Sequence, residues 1–131
     1  MQNKVRPFLM FEGKAEAAMT FYVSLFPRAE ITQIERWGAS QPGKENWVKL
    51  AAFEIGGQSI MCNDSPMKHA FTFTPASSLF VTCESEPELD RLYAALVEGG
   101  QALMPLGAYG FSRKFGWVND KFGVSWQLNL P

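Results

Sequence analysis

Two residues of the chain have the chemistry of proton transfer and lie close in sequence. Asp64 and His69 stand five positions apart, a carboxylate and an imidazole of the types that pass protons to and from a substrate. Cys62 lies two positions before Asp64, and His69 is its only imidazole partner because the chain contains a single histidine. Loop spacing fixes no geometry, so the plain expectation is a solvent-facing His69 and buried, inert thiols at Cys62 and Cys83. Trp37, Trp47, Trp117 and Tyr109 could stack a planar ligand or could be core. Nucleotide-type cofactors need a glycine-rich turn between a strand and a helix. The chain has no G-x-G, and its nearest approach, Gly107-Ala108-Tyr109-Gly110, precedes a strand.

Composition narrows the classes further. The 131 residues carry 12 basic and 13 acidic side chains, a net charge of -1. A near-neutral chain with no basic stripe is a poor nucleic-acid binder. No apolar run approaches the roughly 18 residues of a membrane span. The first residues, Met1 to Pro7, lack the apolar stretch of a secretory signal, and two cysteines 21 apart without a C-x-x-C suit a reducing compartment. The expectation is a cytoplasmic protein with no nucleic-acid or membrane partner.

These side chains must be positioned by elements, and the pattern predicts the elements in order. Val5 to Phe11 reads as a strand. Ala18, Phe21, Tyr22 and Leu25 recur at helical spacing until Pro27 stops the helix. Strands follow at Glu30 to Trp37, Trp47 to Ile55 and Gln58 to Asn63, the last two joined by Gly56-Gly57 as a hairpin turn. After a connector over 64–76, the pattern restarts with a strand from Ser78 to Cys83. Ser85 and Glu88 form a capping box. Leu89, Leu92, Tyr93, Leu96 and Val97 make one helical face, closed by Gly99-Gly100. Gln101 to Met104, Arg113 to Asn119 and Val124 to Leu130 complete the strands, with Asp120 as turn chemistry before the last. This is a βαβββ unit written twice, an α+β single domain over 1–131 with one module over about 5–65 and another over about 77–131.

Three stretches carry a resemblance. They are Pro7-Phe8-Leu9-Met10-Phe11-Glu12-Gly13-Lys14-Ala15-Glu16 running on to Phe21-Tyr22-Val23-Ser24-Leu25-Phe26, Phe71-Thr72-Phe73, and Gly116-Trp117-Val118-Asn119-Asp120-Lys121-Phe122-Gly123-Val124-Ser125-Trp126-Gln127. Together they resemble the PhnB-like branch of the vicinal oxygen chelate superfamily. That superfamily has the glyoxalase / bleomycin-resistance / dioxygenase fold, and the branch carries the label 3-demethylubiquinone-9 3-methyltransferase. The resemblance implies paired βαβββ modules forming an open cup of mixed sheet, a homodimer, and in metal-dependent members a divalent ion held by the first and last strand of each module.

Carried over residue by residue, those ligand positions fall on Pro7, Met61, Ser78 and Gln127. Only Gln127 offers a suitable oxygen, and a neutral one, so no metal or other cofactor is expected. Strand alternation then assigns faces. Ser125 and Gln127 should turn into the cup while Trp126 and Leu128 pack on a helix. Met61 and Asn63 should likewise turn inward, away from Ile60 and Cys62, and so should Ser78 and Phe80. Leu9 and Phe11 of the first strand complete the expected pocket. Such a mixture of apolar, amide and hydroxyl groups suits a small, partly apolar organic ligand. The alternative is an enzyme of the same fold, a lyase, isomerase, dioxygenase or the labelled methyltransferase, with a non-standard site in which Gln127 orients a substrate oxygen and Asp64 or His69 moves protons.

Overall fold

The structure, a computed structural model, describes residues 3–131. It divides into two compact units, one ending at His69 and the other running from Ala70 to Pro131. The first contains β1 (Phe8–Phe11), α1 (Ala15–Leu25), β2 (Glu30–Arg36), β3 (Val48–Ile55) and β4 (Gln58–Asp64). Its sheet runs in the order β1-β4-β3-β2, with β1 parallel to β4 and the other neighbours antiparallel. The second contains β5 (Leu79–Thr82), α2 (Glu86–Val97), β6 (Gln101–Gly107), β7 (Lys114–Asn119) and β8 (Ser125–Leu130). Its order is β5-β8-β7-β6, again with one parallel pair, β5 and β8. The βαβββ plan is present twice, as the residue pattern predicts.

Local chemistry explains most boundaries. Phe26 ends α1 in an extended conformation with ψ 144°, the region to which a following proline confines its neighbour. Gly56 and Gly57 both take positive φ, 55° and 82°, and join Ile55 to its register partner Gln58 as a tight hairpin requires. Ser85 Oγ caps α2 by accepting from the Glu88 N–H at 3.3 Å. The Glu88 carboxylate reaches one residue further back than a simple capping box, to the Glu84 N–H at 2.7 Å. Two strand boundaries differ from the residue pattern by more than one residue. β1 begins at Phe8 rather than Val5, and β6 continues past Met104 through Pro105 to Gly107. β6 can hold that proline because it is an edge strand whose register is interrupted on both sides of Met104.

Each helix covers one face of its own sheet. In the first unit Ala18, Met19 and Tyr22 of α1 are buried with Ala51, Phe53, Ile60 and Cys62 of the strands, and the Tyr22 and Phe53 rings lie 5.9 Å apart. In the second, Leu89, Leu92 and Leu96 of α2 are buried with Val118, Trp126 and Leu128. Burial of each of the larger aliphatic and aromatic side chains among these contributes about 1.5–3 kcal/mol, so these two helix–sheet layers are the cores. They leave each sheet with one face that its own helix does not cover.

Candidate functional site

Register decides which side chains occupy the helix-free faces. In the second unit Phe80 pairs with Gln127, Gln127 with Trp117, and Trp117 with Met104. These residues alternate with the buried Trp126, Leu128 and Val118, so they form a row across the face away from α2. Phe80 is 58% exposed, and Gln127 and Trp117 are partly exposed. In the first unit the equivalent row is Phe8, Met61, Ala52 and Gln33, with Phe8 51% exposed.

A second row of the second unit is polar. The Trp117 indole N–H donates to Ser125 Oγ at 2.8 Å, and Ser125 Oγ shares a hydrogen bond with Ser78 Oγ at 2.7 Å. Asn119, the register partner of Ser125, lies beside this chain, yet its Oδ1 is buried without a hydrogen-bond partner. Asn63 Oδ1, on the helix-free face of the first unit two residues beyond Met61, is in the same state. At the other end of β7 an aromatic corner closes the face. Phe115 meets Phe111 edge-on at 5.0 Å, and Phe111 stacks on Tyr109 at 6.1 Å, whose hydroxyl donates to the Pro105 carbonyl.

The expected pocket residues therefore separate. Met61 and Asn63 lie on the first unit's helix-free face, and Ser78, Phe80, Ser125 and Gln127 lie on the second's. Leu9 and Phe11 do not. Leu9 is the register partner of Cys62 and Phe11 that of Asp64, which puts both on the side covered by α1, with Phe11 buried. The first-strand residues on the open side are instead Phe8 and Met10. The carried-over positions shift as well. Phe8, not Pro7, faces outward beside Met61, since a slip of one residue inverts a strand side chain. Phe80 stands directly beside Gln127, with Ser78 two residues away on the same face.

Asp64 and His69 have partners that define their roles. Asp64 is buried, and its Oδ1 accepts the Gly13 and Ala15 N–H groups at 2.7 and 2.9 Å. Its Oδ2 accepts the Val48 N–H at 2.9 Å. The carboxylate thus caps α1 from a distance and ties in the start of β3, which the absence of a side-chain cap at Lys14 makes necessary. The imidazole Nε2 of His69 is hydrogen-bonded to Ser65 Oγ at 2.8 Å. Cys62 and Cys83 are buried free thiols. Burial, reinforced by the charge of Asp64, pushes the Cys62 thiol up to about 12. Burial with Glu88 nearby raises Cys83 to about 11. Neither is a thiolate at neutral pH. Trp37 and Trp47 are structural: Trp37 Nε1 donates to the Asp64 carbonyl at 2.9 Å, and Trp47 packs against Gly13, whose missing Cβ would sit 2.8 Å from the ring.

The comparisons with known proteins agree with this fold. The family described as 3-demethylubiquinone-9 3-methyltransferase matches residues 3–129. A PhnB protein from Bacillus cereus is 57% identical over 98% of this chain and 100% of its own, with a TM-score of 0.95. The chain belongs to this family. Within the same fold, a protein from Pseudomonas aeruginosa is 27% identical over 99% of this chain and 97% of its own, with a TM-score of 0.83. A glyoxylase/bleomycin resistance protein/dioxygenase domain from Frankia sp. EAN1pec is 15% identical over 99% of this chain and 93% of its own, with a TM-score of 0.68, and shares the fold. No curated protein compared with the chain matches it.

The divalent ion of metal-dependent members of the fold does not suit the residues present. The helix-free rows offer a thioether at Met61 and a neutral carboxamide at Gln127, flanked by Phe8 and Phe80, where hard ions require charged oxygens or imidazoles. The buried carboxylates are already committed, Asp64 as above and Asp120 to the Phe122, Val124 and Trp126 N–H groups at 2.8, 3.0 and 2.9 Å. Among the described residues no group of three or more His, Cys, Asp or Glu could hold an ion.

Proposed function

We propose that this member of the PhnB-like family binds a small, partly aromatic organic molecule on the helix-free face of its second unit. The observation that carries the reading is the row Phe80, Gln127 and Trp117. Two aromatic side chains project on either side of a shorter, partly exposed carboxamide, an arrangement that leaves more than half of Phe80 in the open. Apolar walls with a few convergent polar groups are the usual make-up of a ligand site. The residues supply orientation and water exclusion. Gln127 can donate to or accept from a ligand oxygen, and the aromatic corner at Phe115 bounds one end.

The thiols, held neutral, and Asp64, occupied by backbone donors, add no nucleophile or base to this face, so binding is favoured over turnover. The free, reduced cysteines support a cytoplasmic location. Equilibrium binding to a panel of small aromatic and aliphatic compounds tests the reading. At least one planar aromatic compound should saturate the protein at micromolar concentration and lose affinity about tenfold or more on Phe80→Ala. A panel in which nothing binds more tightly than millimolar would overturn it.

A further inference from the structure

We infer that Ser78 is the hydrogen-bond donor that selects the ligand of the second unit's helix-free face, and that this ligand presents a neutral carbonyl oxygen to it. The inference rests on the binding role proposed above and names the chemistry of that site. It follows from the direction in which three linked groups must pass their protons. The Trp117 indole Nε1 lies 2.8 Å from Ser125 Oγ, and Ser125 Oγ lies 2.7 Å from Ser78 Oγ.

An indole N–H donates and never accepts, so the first link runs from Trp117 to Ser125. The second link joins two hydroxyls, each with one proton, and uses only one of them. If Ser78 donated, the Ser125 proton would be left over inside the protein, where Ser125 is 2% exposed. Its register partner Asn119 does not take that proton, because Asn119 Oδ1 accepts no hydrogen bond. A buried hydroxyl proton without an acceptor costs more than one that solvent reaches. Ser125 therefore donates to Ser78, and the unused proton belongs to Ser78, which is partly exposed. The relay ends in a donor on the open face, and each link polarises the next in the same direction.

The position of Ser78 and the charge of its surroundings define the acceptor. Ser78 stands two residues before Phe80 on the same face, about 7 Å along the chain, so one small molecule lying on Phe80 reaches its hydroxyl. The rows of that face, from Ser125 across Asn119 to Gln101 and from Phe80 across Gln127 to Met104, contain no charged residue. A carboxylate or phosphate there would give up its hydration without a cation to meet it. A neutral carbonyl fits. It accepts through its lone pairs and, unlike a hydroxyl, brings no proton that needs a partner of its own.

Two probes of matched shape test this, 2-acetylnaphthalene and 2-isopropenylnaphthalene, which differ in a carbonyl oxygen against a methylene group. Their dissociation constants are measured by titration calorimetry for the wild-type protein and for Ser78→Ala. The ratio of the two constants cancels what the common hydrocarbon contributes. It should move about three- to tenfold against the ketone in the variant, the size of one hydrogen bond. An unchanged ratio would overturn the donor role of Ser78 and leave the binding role standing, as would a panel compound that binds while the ketone does not. No binding by either probe or by any panel compound would overturn both. Should Ser78→Ala fail to fold, a wild-type crystal grown with 2-acetylnaphthalene decides the matter. Its carbonyl oxygen is expected within about 3.0 Å of Ser78 Oγ, and a carbonyl turned away from Ser78 contradicts the proposal.

Discussion

At the scale of single residues, the two buried aspartates hold the framework rather than the chemistry. Asp64 brings three backbone N–H groups together from Gly13, Ala15 and Val48. Removing its side chain leaves those donors buried, so Asp64→Ala should destabilise the protein by about 2–4 kcal/mol. Urea denaturation checks this, and a change below about 0.5 kcal/mol would mean that the carboxylate is not structural. The roles of these residues were unequally legible. The turn function of Asp120 is local, two and four residues from its backbone partners, and could be read directly. Its hold on the Trp126 indole depends on where the strand turns that side chain, and the reach of Asp64 to residues up to 51 positions away depends on the fold bringing distant backbone together. No spacing rule exposes that, and Asp64 beside His69 in sequence invites a catalytic reading instead.

At the scale of elements, helix–sheet approach is the sensitive quantity. Gly116 lies in β7 under α2, where an added Cβ would stand 2.8 Å from the Tyr93 ring and 3.1 Å from Leu106. Gly116→Ala must push the helix off the sheet or force both side chains off their rotamers, a cost of about 1–3 kcal/mol. A thermal melt should show the loss, and an unchanged midpoint would mean that α2 sits more loosely than described. Element order, both helices and the hairpin turns were readable because Pro27, Gly56-Gly57, Ser85 and Gly99-Gly100 each impose a local geometry. Facing in the short first strand was not. β1 has four residues and no clean alternation, so Leu9 and Phe11 look as suitable for a pocket as Phe8 and Met10. Only the parallel pairing of Phe8 with Met61 decides between them.

At the scale of the whole molecule, one topology used twice gives two helix-free faces with different contents. The first presents Phe8, Met61 and Asn63, and the second Phe80, Gln127, Trp117 and Asn119. We infer that the partner of the chain, besides its ligand, is a second copy of itself. Each sheet ends in a short parallel strand, β1 or β5, with unpaired backbone on its outer side within its own sheet and an exposed phenylalanine on it, features that favour association. Sedimentation at micromolar concentration should give twice the 14.7 kDa chain mass, whereas a single-chain mass would contradict it. The binding role itself is tested most directly by a crystal structure of the protein grown with the tightest compound of the panel. The account predicts that compound's ring between Phe80 and Trp117, over the Gln127 carboxamide. A face closed by the protein's own side chains, or a compound bound elsewhere on the chain, would contradict it.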